Sequence, residues 1–508
     1  MSLMGVDVGT TGVKAAVFDE SGGLIATAYE EYPLLFPFAG ASELDSRTVT
    51  EAALRVIGEA AGRVKDSDPV AAIGVASQGE AFTPVAKDGR ALGNAMTSSD
   101  SRAESYVRVC EPDWAQRLYQ ITGHTPYPMY SLFKLMWLKE HQPEIWDSAW
   151  KFLFCQDLVA FVLTGEARTD YSMAARSMLF DVSSKQWSGE ILETIGMAEE
   201  KLPETIPSGR IIGHVRAELA SKLGLGPNVG VTLSGHDQPV GALGCGAAAP
   251  GCGSYSIGTT ECICVAMDRL ILSPELMKAN LATYPHVLPD TYTTVAFNIT
   301  GGSVLKWVRD NFAVEEAAEA RRQSRDPYDL IIAAAAREPA NVILLPHFGP
   351  TGTPHFDSQG AGVLFGLTLS TTRAEVLRAV LEGITYEMKW NLRILEDSGF
   401  RLTDLRAVGG GAKSDIWMQI KADILGAPLS AMRVTEATCM GAAILAGSGL
   451  GVLDAKAAAS QWASPIRTFE PKKENAYLYE ERFSVYKEIY SSLGGARRLL
   501  HELKGKQT

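Results

Sequence analysis

The chain has 508 residues, 46% hydrophobic, 21% charged and 8% aromatic, which is enough apolar material for large cores and excludes a disordered or low-complexity chain. At about 150 residues per domain this length suggests roughly three units, although two large α/β domains fit as well. Lys+Arg of 47 against Asp+Glu of 59 gives a net charge of −12, which argues against broad contact with nucleic acid or anionic lipid, since both need basic surface.

In chain order, Gly5 to Val8 is a short apolar run interrupted by Asp7, Gly9-Thr10-Thr11-Gly12 supplies turn residues, and Val13 to Phe18 is apolar again. That pattern predicts a β-hairpin. Ser21-Gly22-Gly23 turns the chain into Leu24 to Tyr29, making a three-stranded meander that ends near Pro33. A helix is expected over 48–64. Val229 to Leu233 reads as a strand ending at Ser234-Gly235-His236-Asp237, after which Pro239 and small residues open a helix. The Gly/Ala/Pro-rich stretch Gly244 to Gly253 looks like a crossover. Tyr255 to Thr260, followed by Cys262 to Ala266, then repeats the N-terminal pattern of run, Gly-Thr-Thr, run. Gly9 and Gly258 lie 249 residues apart, close to half the chain. The offset suggests two related halves with a boundary near residue 248; a chance pair of Gly-Thr-Thr turns is the competing reading.

The seven cysteines are odd in number and include no CxxC pair, so neither a disulfide framework nor a zinc ribbon is indicated. No stretch reaches the ~18 apolar residues of a membrane span. The start, MSLMGVDVG, lacks a basic region and reaches an acid at Asp7, so no signal peptide is expected and the reading is a cytoplasmic protein.

Several residues are placed for chemistry. Asp7 sits in an apolar strand beside a Gly-Thr-Thr turn, a position suited to a cation or a phosphate-bound metal. The hydroxyls of Thr10 and Thr11 and the backbone N–H groups can cradle phosphate oxygens, and Lys14 adds positive charge. A plain hairpin with an edge-facing acid is the alternative. Gly258-Thr259-Thr260 offers a second such turn. Asp237 lies where open α/β sheets put ligands and catalytic groups, or else serves as an N-cap. Thr300-Gly301-Gly302 before a helix over 304–312, and Gly409 to Ser414 before a helix over 415–425, suit phosphate or nucleotide, or answer helix packing. The second turn fails as a P-loop, which needs Gly where Ala407 and Ala412 stand, and as a dinucleotide fingerprint, which needs Gly at Ser414. Gln78-Gly79-Glu80, and Asp100 with Arg102, follow or adjoin apolar runs. They either hydrogen-bond the hydroxyls of a polyol or are solvated loop polarity. His347, His355 and Asp357 match no usual metal spacing, and the prolines around them mark a structured loop.

Together these features resemble the FGGY family of carbohydrate kinases over about Met4 to Gly449. Met129 to His141 (MYSLFKLMWLKEH), and Gly362 to Leu367 through Ala379 to Glu382, match family signatures along their length. Leu163 to Glu166, Thr169 to Ser172 and Leu179 to Asp181 are similar to the xylulose-kinase branch. The resemblance implies an α/β, duplicated actin-like ATPase (ribonuclease H-like) fold with two lobes and a central cleft. An N-terminal domain over 1–247 would bind sugar and carry the first phosphate motif, and a C-terminal domain over 248–508 would bind nucleotide. It implies ATP and Mg²⁺. It puts Asp7, Thr10 and Thr11 on the first phosphate motif with Lys14 beside them, Gly258 and Thr259 on the second, and Gly302, Gly410, Gly411 and Ala412 at the nucleotide. Asp237 falls on the family's catalytic base and, with Asp7, at the metal. Gln78, Glu80, Asp100 and Arg102 fall where relatives bind the sugar or polyol, with Glu43 and Asp45 in a nearby acidic motif.

Xylulose kinases typically carry Gln-Met-His and Trp-Asn-Asp-x-Arg at the two substrate segments, whereas Gln78-Gly79-Glu80 and Ser98-Ser99-Asp100-Ser101-Arg102 stand here. Met and His are lost from one wall and Trp from the other, so xylulose is not assigned. The expected activity is transfer of the γ-phosphoryl group of ATP to a hydroxyl of a ketopentose, deoxy-ketose or sugar alcohol. The expected partners are that small substrate and ATP, with no nucleic acid and no membrane, and a homodimer is allowed. A non-catalytic, ATP-dependent sensor or chaperone-like module of the same fold is the competing reading.

Overall fold

The computed structural model describes residues 1–505. The N-terminal meander forms from β1 (Ser2–Val8), β2 (Gly12–Phe18) and β3 (Leu24–Glu31), paired antiparallel in sequence. After helix α1 (Ser46–Gly62), β4 (Val70–Ser77) lies parallel to β1 on its other side. β5 (Ile211–His214) and β6 (Gly230–His236) complete a sheet ordered β5-β6-β4-β1-β2-β3. β1 is therefore central, which is why its apolar run is nearly continuous rather than alternating.

The second half repeats the plan. β7 (Cys252–Ile257), β8 (Glu261–Met267), the short β9 (Tyr284–Pro285) and β10 (Tyr292–Asn298) form its meander side. β11 (Asp404–Val408) lies parallel to β7, β12 (Leu429–Met432) parallel to β11, and β13 (Pro465–Phe469) antiparallel to β12. Apart from the outer β9, the order β9-β10-β8-β7-β11-β12-β13 matches the first sheet strand for strand. The two Gly-Thr-Thr turns thus occupy equivalent positions in two copies of one topology.

Residues 78–210, between β4 and β5, build a separate aromatic core that includes Phe82, Phe133, Trp146, Phe152, Phe180 and Trp187. Helix α2 (Cys155–Thr164) belongs to this insertion. The first half ends in α3 (Asp237–Gly244). The second adds α4 (Gly301–Asn311), the long α5 (Arg373–Asp397) and α6 (Asp415–Leu425). On α5, Leu377, Leu381, Ile384, Met388, Leu392 and Leu395 recur at spacings of three and four and bury one face in the second core.

α4 starts earlier than the apolar pattern predicts. Its first-turn donors are satisfied from outside, Gly302 N by Gly258 O and Ser303 N by Thr259 O, both at 3.0 Å, so the helix extends back to the turn. Helix α7 (Ala437–Gly449) returns from the second half to lie on β1, β4 and α3. The crossing brings backbones together: a Cβ on Gly244 would sit 1.8 Å from Ala437 O. The two halves therefore share a close-packed interior seam. Among the described residues no helix is long and apolar enough to cross a membrane.

Candidate active site

Asp7 stands opposite Lys14 in the β1–β2 register, one residue before the end of a central strand rather than at an edge. Its Oδ1 is shielded from solvent and has no hydrogen-bond partner. Burial raises its pKa to about 6 against the pull of the Lys14 ammonium, with a further push from the Glu436 carboxylate. Lys14 Nζ bonds Glu436 Oε2 at 2.7 Å, so the cation expected at the phosphate turn is engaged across the two halves. Thr10 Oγ1 donates to Gln78 Oε1 at 2.9 Å, and Gln78 Nε2 donates to Gly9 O at 3.3 Å. Gln78 is thereby joined to the turn, while Thr11 is exposed.

Asp237 opens α3 at the end of β6, with a side chain 26% exposed and so within reach of a ligand. His236 occupies the cap position and the helix has no side-chain cap bond, which removes the N-cap reading for Asp237. The bend before it is held from behind. Gly235 N donates to Gln156 Oε1 at 2.8 Å and His236 N to Ser172 Oγ at 3.0 Å. Gln156 Nε2 and Ser172 Oγ in turn donate to the two oxygens of the buried Asp170, at 2.7 and 2.6 Å. Burial raises the pKa of Asp237 to about 7, helped by the nearby Asp7 and Glu80 carboxylates. Two carboxylates that disfavour each other's charge, one with an orphaned oxygen, fit a hard divalent cation held by one or two carboxylates and substrate phosphates.

Two residues outside the sequence expectations lie beside Asp237. His236 Nε2 is 3.2 Å from Asp237 Oδ1, and the hydroxyl of Tyr284, from the second half, is hydrogen-bonded with His236 Nδ1 at 2.9 Å. Burial, reinforced by the Arg176 guanidinium, pushes the His236 pKa well below 6.5, so the imidazole is neutral.

Glu80 is buried and paired with Arg176, whose Nε lies 2.5 Å from Glu80 Oε1. Asp100 and Arg102 are turned to each other: Arg102 donates to both oxygens of Asp100 and, from Nη2, to Glu43 Oε1 at 2.6 Å. The Arg102 guanidinium lies between the rings of Phe38 and Trp137, and its side chain is 1% exposed. Asp45 caps α1 through Arg47 N and Thr48 N. The structure thus joins Gln78 to the first turn, puts the Glu80 charge within influence of Asp237, and sets Asp100, Arg102, Glu43 and Asp45 into other contacts.

In the second half a cavity of about 690 Å³ is lined by Gly258, Thr259, Gly302, Gly410 and Gly411, as expected, and by Ser303, Lys306, Lys413, Tyr328, Ile332 and Trp417. Its lining is mixed: glycine turns, Lys306 and Lys413 set against Asp326 and Asp329, and apolar and aromatic residues of the kind that cover a bound base. Gly410 leaves open space where a Cβ would project. Ala412, expected at the nucleotide, packs toward the second core, because in the single 3₁₀ turn over 410–413 only some positions face the cavity. Behind the second Gly-Thr-Thr turn, Lys421 and Glu261 form a fully buried pair at 2.7 Å that Tyr255 joins. His347 Nε2 donates to Glu387 Oε2 at 3.1 Å, Tyr486 donates to the same oxygen at 2.5 Å, and His355 Nε2 lies 3.6 Å from the other, so the structured-loop reading accounts for those histidines.

Sequence reasoning missed Arg176, Tyr284, His236 and Lys306, while Lys413 falls within the expected turn over 409–414. His236 had one signal, its adjacency to Asp237; Arg176 lies 96 residues from Glu80 and had none.

Residues 2–244 match the N-terminal domain, and residues 253–450 the C-terminal domain, of the FGGY family of carbohydrate kinases. The chain is 30% identical over 492 residues to a xylulose kinase of Staphylococcus epidermidis, covering 96% of each chain. It is 28% identical to a glycerol kinase of Thermococcus kodakarensis, covering 99% of each. The crystal structure of a gluconate kinase from Lactobacillus acidophilus superposes with a TM-score of 0.90 at 27% identity, over 97% of this chain and 98% of that one. The chain belongs to the FGGY family of carbohydrate kinases, phosphotransferases that use an alcohol group as acceptor.

Proposed function

We propose that the chain transfers the γ-phosphoryl group of ATP to a hydroxyl of a small sugar or polyol, with Asp237 as general base. The observation that carries this reading is the position of Asp237: open to ligand, directly after a bend held by Gln156 and Ser172, and close enough to Asp7 and Glu80 for their charges to raise its pKa toward neutrality. A base poised near the working pH is what proton removal from an alcohol requires.

The first half, 1–247, presents the acceptor through Gln78 and Glu80 and the first phosphate turn through Thr10 and Thr11. The second half, 248–508, receives the nucleotide in the cavity between Gly258-Thr259, Gly302 and Gly410-Gly411. Mg²⁺, held by Asp7 and Asp237 oxygens, would neutralise phosphate charge there. Lys306 and Lys413 bring positive charge to the cavity beside Asp326 and Asp329, which matters because the net charge of −12 gives an anion no general attraction. Asp237 accepts the acceptor hydroxyl's proton as its oxygen attacks phosphorus, with the neutral His236 ring 3.2 Å from the carboxylate. Free thiols at all seven cysteines support a cytoplasmic setting.

The test is Asp237→Asn in a coupled ADP-release assay. Loss of the base should lower kcat by about 10²–10⁴-fold, or about 3–5 kcal/mol of barrier, with ADP affinity retained. Near-normal turnover would remove Asp237 from the base role.

A further inference from the structure

We propose that Glu436, reaching across from the second half, holds the Lys14 ammonium off the Asp7 carboxylate and so leaves Asp7 free to take a divalent cation. The proposal rests on the reading of Asp7 as a cation ligand given above. It makes Glu436 a positioning residue, one that acts on the cation site only through Lys14.

Asp7 and Lys14 are direct partners in the β1–β2 ladder. Residues directly opposite each other share one face of a sheet, where opposite charges attract. Left to the hairpin alone, the ammonium would neutralise Asp7 and take the place a metal ion needs. The folded chain does otherwise. Among the described residues Lys14 makes one ion pair, from Nζ to Glu436 Oε2 at 2.7 Å, and Asp7 makes none. Asp7 Oδ1 is shielded and without a hydrogen-bond partner, although Lys14 is near enough for its charge to pull the Asp7 pKa down. The ammonium keeps two further N–H groups, so Glu436 fixes where it stands and leaves it able to meet a phosphate oxygen as well.

Glu436 stands at the cap position of α7, and its side chain makes no cap bond, so the carboxylate is free to reach Lys14. Its origin is rigid. A Cβ on Gly5 would lie 1.8 Å from Cys439 O, and one on Gly244 1.8 Å from Ala437 O, so the first turn of α7 is pressed against β1 and α3 with no room to shift. In the same turn Cys439 Sγ lies 3.8 Å from Lys14 O, which sets it against β2 beside Lys14. On β3 the Tyr29 ring lies 5.4 Å from Nζ. The Lys14 and Glu436 side chains are 33% and 22% exposed, so the pair is screened less than one on the open surface. A lysine stem is flexible, and a fixed carboxylate is what gives its ammonium one position.

The experiment is calorimetric titration of the full chain with ADP, with and without Mg²⁺, and it reads the factor by which Mg²⁺ tightens ADP. In Glu436→Met the ammonium loses its partner and turns to Asp7, so this factor should shrink about tenfold, the loss typical when a group that orients a metal ligand is removed. Binding of ADP without Mg²⁺ should change less. Glu436→Gln, whose amide oxygen still accepts from Lys14, should lose less of the factor and tests the same point with the least disturbance of the fold. Adding Lys14→Met to Glu436→Met removes the competing cation and should bring the factor back to within about threefold of the parent value, because the two residues act as one unit. A parent-like factor in folded Glu436→Met, with or without a lower thermal midpoint, would overturn the proposal. Failure of Lys14→Met to restore the factor would place the action of Glu436 elsewhere and overturn it equally. A parent protein that binds ADP alike with and without Mg²⁺ would remove the cation reading and this proposal with it. None of these outcomes depends on turnover, so they are distinct from the Asp237→Asn test of the kinase reading.

Discussion

Replacing Gly302 by alanine tests whether the junction of the second Gly-Thr-Thr turn with α4 holds phosphate. The new Cβ would lie 2.4 Å from Gly258 O and 3.2 Å from Gly258 C. Ordinary contact begins near 3.4 Å, so the turn and the helix must separate by about 1 Å. No flexible side chain can absorb this, since both partners are backbone. They are also tied by the bonds from Gly302 N to Gly258 O and from Ser303 N to Thr259 O. The displacement must fall on the turn that lines the nucleotide cavity. A misplacement of about 1 Å at a positioning group costs about 10²-fold, so kcat/KM for ATP should fall by about that factor, or about 2.7 kcal/mol. The KM of the acceptor should change little, because Glu80 and Asp237 lie in the other half. Steady-state ADP release with ATP varied at saturating acceptor, with calorimetric titration of ADP, measures both, and circular dichroism confirms the fold. Parent-like ATP kinetics in a folded Gly302→Ala protein would refute the assignment of this turn to phosphate.

Tyr284→Phe removes the hydrogen bond with His236 Nδ1 and should lower kcat about tenfold with a smaller change in ATP KM, the loss expected for one oriented hydrogen bond; an unchanged kcat would show that this bond does not position the ring beside Asp237. Lys421→Met strands the buried Glu261 carboxylate and should cost about 3–5 kcal/mol in chemical denaturation, whereas Lys421→Met with Glu261→Leu should recover part of it. Asp7 and Asp237 move from an ordinary 3.8 up to about 6 and about 7 on folding, so the folded chain binds more protons and their contribution to stability falls as pH rises through that window. Mg²⁺ should therefore raise the thermal midpoint more at pH 8 than at pH 5, and an equal effect at both pH values would count against a cation at these carboxylates.

The two Gly-Thr-Thr hairpins, the strand ending at Asp237 and the Gly–helix turn before Asp415 were all legible in the sequence. Each depends on turn residues between apolar runs within about ten positions, where backbone preference is decided locally. The repeat of Gly9 at Gly258 likewise pointed to two halves before any strand order was known, which replaced the roughly three units suggested by length.

The orientation of the polar side chains was not legible. Lys14 was expected at phosphate and is paired with Glu436, 422 residues away; Asp100 and Arg102 were expected to face the acceptor and engage each other; Ala412 turns into the core. Arg176 reaches Glu80, and Tyr284 reaches His236, only because the aromatic core of the insertion and the close-packed α3–α7 seam bring separate segments together. By itself the sequence determined which residue types stand at strand ends and turns, since those follow from near-neighbour backbone energetics. Which charge meets which, and so which groups remain free for a ligand, was decided by tertiary packing alone, because a buried ion pair is selected by whatever partner the fold delivers to within hydrogen-bond distance.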